Sequence, residues 1–302
     1  MANGQSGTAT TTGATNLRAN QASTSAPIAA VLQTGSTFAV QGTVQGESVS
    51  GNPLWYAGMN NLYIWSGACS FAGGGSSGTA TGSGTTPSGT LAGNVVGAPP
   101  GTIGFDCDFT LTASDVAGYV SQGYKFCIRY ITRAQPTEQS GDLTTSEANT
   151  ILNGGLALMA VQHVAASPWN PTGPLGTQYG NNAVSCAQEV GLPPGMNLWV
   201  DLEGVASGTS SQDVIDYCNA WAAPVAAAGY VPGLYVGADA ILNSDELYWD
   251  ISYQHYWRSG SSVPDVAVRG YQLFQRIGGG DIDQDATKTD NLGGTVLWLT
   301  RN

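Results

Sequence analysis

Asn197-Leu198-Trp199-Val200-Asp201-Leu202-Glu203-Gly204 is an apolar run that ends in two acids. Strand side chains alternate between faces, so Trp199, Asp201 and Glu203 share one face and Leu198, Val200 and Leu202 the other. Two carboxylates on one face at the end of a buried strand are costly unless they are paired, hydrogen-bonded or used. Their repulsion raises one pKa. A raised acid beside an ionised one is the equipment of glycoside hydrolysis. A helix-capping or salt-bridged acid pair is the other reading of the same spacing. Strand rise separates the two Cα atoms by roughly 6.5–7 Å. That leaves retention versus inversion open, because the outcome turns on the carboxyl separation.

Outward from this stretch, strands alternate with helical segments from Gly101 onward. Strands are expected at Ile103 to Asp106, Phe126 to Ile131, Leu156 to His163, Gly233 to Val236, Tyr253 to Trp257 and Tyr271 to Gln275, with a last element near Ile282. Helices are expected at Ser114 to Ser121 (Ser114 offering an N-cap), Ser146 to Leu152, Ala183 to Val190, Ser211 to Ala228 and Ala238 to Trp249. The pattern predicts an α/β fold, a (β/α)8 TIM-type barrel. Its last helices are short or missing, which makes the barrel degenerate. A doubly wound open sheet competes, but no GxGxxG loop follows a strand. Barrel chemistry sits at the C-terminal strand ends, and acids recur there. Asp106 and Asp108 end the first strand, Asp201 and Glu203 the fourth, and Asp281, Asp283 and Asp285 lie at the eighth. Their convergence in one mouth is the physical case for a glycosidase.

Residues 1–69 read as short strands with glycine turns, at Ala14 to Arg18, Ala29 to Leu32, Thr37 to Val44, Leu54 to Ala57 and Tyr63 to Trp65, the pattern of a small all-β barrel. Asn16-Leu17-Arg18, Val31-Leu32-Gln33-Thr34-Gly35 and Gly51-Asn52-Pro53-Leu54-Trp55-Tyr56, in that order, resemble a bacterial SH3-like domain. The resemblance implies cell-wall peptide binding; a structural role fits equally. Residues 70–100 are rich in Gly, Ser, Thr and Ala, end in Pro99-Pro100, and read as a linker. The barrel is then residues 101–302.

Gly104-Phe105-Asp106, Asp201-Leu202-Glu203, Gly233-Leu234-Tyr235, Leu273-Phe274-Gln275 and Ile282-Asp283 resemble, in this order, the family 25 glycoside hydrolases, lysozymes that cut the muramic acid β-1,4 linkage of peptidoglycan. Ile128-Arg129-Tyr130 and Leu143-Thr144-Thr145-Ser146-Glu147-Ala148 bring the chain nearer to a related glycoside-hydrolase-like barrel family of poorly defined function. The resemblance implies Glu203 as general acid and Asp201 as stabiliser of the oxocarbenium-like centre or orienter of the substrate's N-acetyl group. It implies Asp106 and Asp283 as hydrogen-bonding partners that help keep Glu203 protonated, with Tyr235 and Gln275 lining the site. Asp108 and Asp285 depart from the lysozyme pattern, which commonly has small polar residues there. Among weaker signals, His163 at the end of the third strand is a candidate sugar contact, and Arg129 a candidate partner of the strand-end acids or half of a structural salt bridge. His255 reads as core.

The chain has 302 residues and a net charge of −12, with 42% hydrophobic and only 10% charged residues, against a usual ~25% charged. Such a surface suits an extracellular or particle-associated protein. The nine basic residues are scattered, so nucleic-acid binding is excluded. No apolar run spans a membrane. Met1 to Gln5 lacks the regions of a signal peptide, so either a leader was removed or export is leaderless. The five cysteines show no zinc spacing; Cys107 with Cys127, or Cys186 with Cys218, fit a disulfide in an oxidising compartment as well as they fit buried thiols. Asp281, Asp283, Asp285 and Thr287 have the 1-3-5-7 rhythm of a calcium loop, but Ala286 and Leu292 stand where such a loop needs Gly and Glu. No metal or other cofactor is expected. The favoured function is hydrolysis of bacterial wall glycan, peptidoglycan first. A wall-binding protein with a vestigial pocket and a particle-associated structural protein are the rivals.

Overall fold

The computed structural model describes residues 7–32, 36–40, 42–58, 62–73, 89–137, 139–276 and 280–301. The chain forms two compact units, Met1–Gly84 and Thr85–Asn302. Gln33, Thr34 and Gly35 of the SH3-like pattern, and residues 74–88 of the expected linker, lie outside the described residues.

The first unit is all-β. Its strands are β1 (Gly7–Thr11), β2 (Thr15–Ala19), β3 (Ile28–Leu32), β4 (Thr37–Val40), β5 (Gly42–Val49), β6 (Asn52–Ala57), β7 (Leu62–Trp65) and β8 (Cys69–Gly73). They form two antiparallel sheets, β4-β1-β8 and β3-β2-β7-β6-β5. Ala9, Leu17, Phe38, Val40, Tyr56 and Ile64 fill the space between them. Sequence reading missed β1 and β8, which are short and rich in small residues. β8 extends the unit beyond residue 69 into the expected linker.

The second unit contains β9 (Asn94–Gly97), β10 (Ile103–Cys107), α1 (Ala113–Ser121), β11 (Phe126–Ile131), α2 (Thr145–Asn153), β12 (Ala157–Gln162), α3 (Gly173–Val190), β13 (Asn197–Leu202), α4 (Ser211–Ala227), β14 (Val231–Val236), β15 (His255–Arg258), β16 (Leu273–Arg276), β17 (Asp283–Thr287) and β18 (Leu297–Thr300). Eight strands close a barrel in the order β11-β10-β17-β16-β15-β14-β13-β12, sealed by pairing of β11 with β12. Seven run parallel. β17, the expected eighth parallel strand, runs antiparallel to both neighbours. β18 pairs with β9 and touches β12 at Leu158↔Leu299, so the end of the expected linker is a strand of this unit.

Among the described residues, α-helices follow only the first four strands of the barrel. Thr112, not Ser114, caps α1 in a capping box with Asp115, and Ser210 caps α4. α3 begins ten residues before the expected start. Its Gly176 and Gly180 lower helix propensity but leave room for the backbone of α4: a Cβ on Gly176 would sit 2.2 Å from the Tyr217 carbonyl oxygen. After β14 the expected helix shrinks to one π-type turn, Glu246–Asp250.

Alternation along the strands makes two cores. Phe126, Ile128, Met159, Val161, Trp199, Tyr235, Trp257, Leu273 and Trp298 fill the lumen; Phe105, Cys127, Leu158, Leu198, Val200 and Leu234 face the helices. Trp199 and Trp257 meet edge to face, with centroids 5.9 Å apart, a favoured aromatic geometry. The lumen is therefore a packed floor, and polar side chains reach the mouth only above it. No disulfide joins the cysteines among the described residues.

Candidate active site

The C-terminal ends of β10, β11, β12 and β13, with the start of β17, line a pocket of about 360 Å³. Asp106, Asp108, Tyr130, His163, Asp201, Glu203, Asp281 and Asp283 line it. The four expected catalytic acids, drawn from β10, the end of β13 and β17, thus meet in one hollow. β17 delivers its acids from its start rather than its end, because it runs the other way. Register places Asp283 opposite Asp106, and Asp285 opposite Gly104 one pleat deeper.

Asp106 is 5% exposed. Gln275 Nε2 donates to its Oδ2 at 2.9 Å, and the Tyr130 hydroxyl donates to Oδ1 at 3.4 Å. Burial pushes its pKa up to about 6; the Gln275 hydrogen bond opposes this and the Asp283 charge adds to it. Below it, Asp285 is fully buried and accepts from Trp257 Nε1 at 2.8 Å. Its Oδ2 has no N–H or O–H donor among the described residues. Burial, then the Asp106 charge, hold this carboxyl well above the usual range, and it hydrogen-bonds Asp106. Two carboxyls form such a bond only when one carries the proton, and Asp285, the deeper, is the donor.

Asp201 is 5% exposed, and its Oδ1 has no partner among the described residues. Burial first, then the charges of Glu203 and Asp106, raise its pKa well above the usual value. Glu203 is half-buried, and burial raises it too. Its position is set by the backbone. Trp169 Nε1 donates to its carbonyl at 2.7 Å, and Gly204 turns the chain at φ +63°. Gly237 leaves space for the side chain: a Cβ there would lie 2.4 Å from Glu203 Cβ and 2.6 Å from Oε2. Glu203 faces the cavity and resists ionisation, which suits it to proton donation, and Asp201 lies buried beside it on the wall of the same cavity.

The other expected residues divide. His163 reaches the rim, stacked on Tyr130 at 4.6 Å between centroids, with Nε2 3.2 Å from Asp142 Oδ1. Burial lowers its pKa despite Asp142, so the ring is neutral at pH 7. Tyr235 and Gln275 lie beneath the floor rather than lining it: the Tyr235 hydroxyl donates to Gln275 Oε1 at 2.8 Å, and Gln275 holds Asp106. Arg129 does not reach the site. It is fully buried on the helix side of β11, with Nε 2.7 Å from Glu147 Oε1 and further bonds to the Cys107 and Gly141 carbonyls. The strand period explains the correction, since Phe126, Ile128 and Tyr130 point inward and Arg129 between them points outward. Tyr130 is the site residue that sequence reading passed over, and the same alternation identifies it. His255 is core, with Nδ1 3.0 Å from Asn197 Oδ1.

A family model of the Rv2525c-like, glycoside hydrolase-like domain matches residues 117–293. The chain belongs to that family. Asp201, Glu203 and Asp283 of this Rv2525c-like barrel fall inside the matched segment, and Asp106 precedes it. Three solved structures similar to it each match 62% of the chain. The Tat-secreted protein Rv2525c of Mycobacterium tuberculosis, in complex with L-tartrate, is 17% identical over 95% of its own chain, with a TM-score of 0.45. A lysozyme of Streptomyces coelicolor is 16% identical over 92%, at 0.43. A family 25 glycosyl hydrolase of Bacillus anthracis is 14% identical over 89%, at 0.42. No curated protein matches the chain.

Proposed function

We propose that this chain is a glycosidase of bacterial wall glycan, peptidoglycan first, with Glu203 as general acid. The observation that carries the reading is the meeting of Asp106, Asp201, Glu203 and Asp283 in one sugar-sized hollow. Burial raises the pKa of Glu203, which favours the proton-bearing form that a general acid at the leaving oxygen needs. Asp201 stabilises the oxocarbenium-like centre, or orients a substrate N-acetyl group through its unpartnered Oδ1. Asp106 and Asp283 position the sugar. Tyr130 and the neutral His163 offer a flat aromatic wall at the rim. The first unit, with its short antiparallel strands, acts as an SH3-like wall-binding module, and the chain works outside the cytoplasm. No helix among the described residues is long and apolar enough to cross a membrane.

Digestion of purified sacculi, with new glycan ends identified by mass, tests the reading. Glu203→Gln should reduce the release of ends by roughly 10²–10⁴-fold while the melting temperature stays near that of the parent. Undiminished release by the variant removes Glu203 from the acid role. Binding of sacculi with no new ends from either protein favours a wall-binding protein with a vestigial pocket.

A further inference from the structure

We propose that the pocket prefers an amino sugar bearing a free ammonium group, a glucosaminium ring, over its N-acetylated form. The proposal rests on the glycan-cleaving reading of the same pocket and names its substrate more narrowly. Six carboxyl groups line the hollow: Asp106, Asp108, Asp201, Glu203, Asp281 and Asp283. No Lys or Arg is among the lining residues. His163 is the nearest base, and burial keeps it neutral at pH 7. Asp201 Oδ1 is buried without a donor among the described residues, in a side chain that lines the cavity. A buried acceptor left without a donor is costly, and an entering N⁺–H group supplies both the donor and the charge. An acetamide N–H supplies the donor alone and leaves the remaining acids uncompensated. Asp108 and Asp281 are exposed at the rim, where their field draws a cation toward the mouth.

Calorimetry with Glu203→Gln, which suppresses turnover, compares β-1,4-linked glucosamine tetramer with N-acetylglucosamine tetramer at pH 6 and low salt. The amine should bind about tenfold more tightly or better. Its heat should vary with the ionisation enthalpy of the buffer, because a cation entering among partly protonated acids expels protons to solvent. The preference should shrink with added salt, and Asp108→Asn should reduce it by about threefold. Equal or tighter binding of the acetylated tetramer overturns the proposal. So does an amine preference that survives Asp108→Asn and Asp281→Asn unchanged, which would reflect only the net charge of the chain. If the parent cleaves both tetramers alike, the proposal fails and the glycosidase reading stands; if neither tetramer binds, both fail.

Discussion

Glu203 occupies the space that a side chain at Gly237 would need. Gly237→Ala should therefore displace the carboxyl and lower turnover by roughly 10²-fold, with little change in melting temperature; unaltered kinetics would show that Glu203 finds another productive rotamer. Asp106 makes a second prediction. Its pKa of about 6 in the folded chain exceeds the unfolded value of about 3.9, so the folded state binds the extra proton. The stability due to that proton is complete below the unfolded value and is lost as pH rises through about 6. Asp106→Asn removes this dependence and should stabilise the protein at pH 7, by on the order of 2–3 kcal/mol at most, with little gain at pH 4. Denaturant melts at both pH values check the sign. Asp285→Asn keeps a donor toward Asp106 and an acceptor for Trp257, so it should leave stability at pH 7 nearly unchanged, whereas an ionised Asp285 would make the same variant strongly stabilising. The acids were legible in the sequence because carboxylates at strand ends have few cheap explanations. The supports of Asp106 were not: Tyr235 and Gln275 look like site residues until register sets them under the floor.

At the level of elements, Arg129 and Glu147 join β11 to the start of α2. Glu147 Oε1 also accepts from the Leu111 backbone at 2.8 Å, and Thr144 caps the helix through the Glu147 N–H. Both charges are buried, so removing one partner strands the other. Glu147→Ala should cost about 3–5 kcal/mol, and Arg129→Met with Glu147→Leu should recover much of it; additive losses in a double-mutant cycle would mean that the two side chains act independently. The first four strand–helix units were readable because their periods change cleanly from two to 3.6 and because Thr or Ser starts each helix. The second half was harder. Two glycines hid the first turns of α3, since propensity penalises them while helix packing uses them. The apolar residues 238–249 carry helical character but make a single turn. The direction of β17 left no mark on its own residues, because alternation is the same read forward or backward.

At the level of the whole molecule, the fold is two independent cores in one chain. Residues 85–302 expressed alone should unfold in one cooperative calorimetric transition; a broad, non-cooperative melt would show that the barrel depends on the first unit. Composition made two modules readable, but not their limits, because β8 and β9 are short and lie in a stretch that resembles filler. The reversed strand of the barrel has a wider consequence. Order along the chain and depth in the lumen run in opposite senses there: Asp281 is outermost, Asp283 and Asp285 lie successively lower, and Thr287 is tied to the Pro99 carbonyl at the base. Sliding this one hairpin by two positions would raise or sink a whole column of carboxyls without turning any of them outward. Such a shift would change how far the acids of this family member reach toward solvent along the side of the rim that β17 supplies.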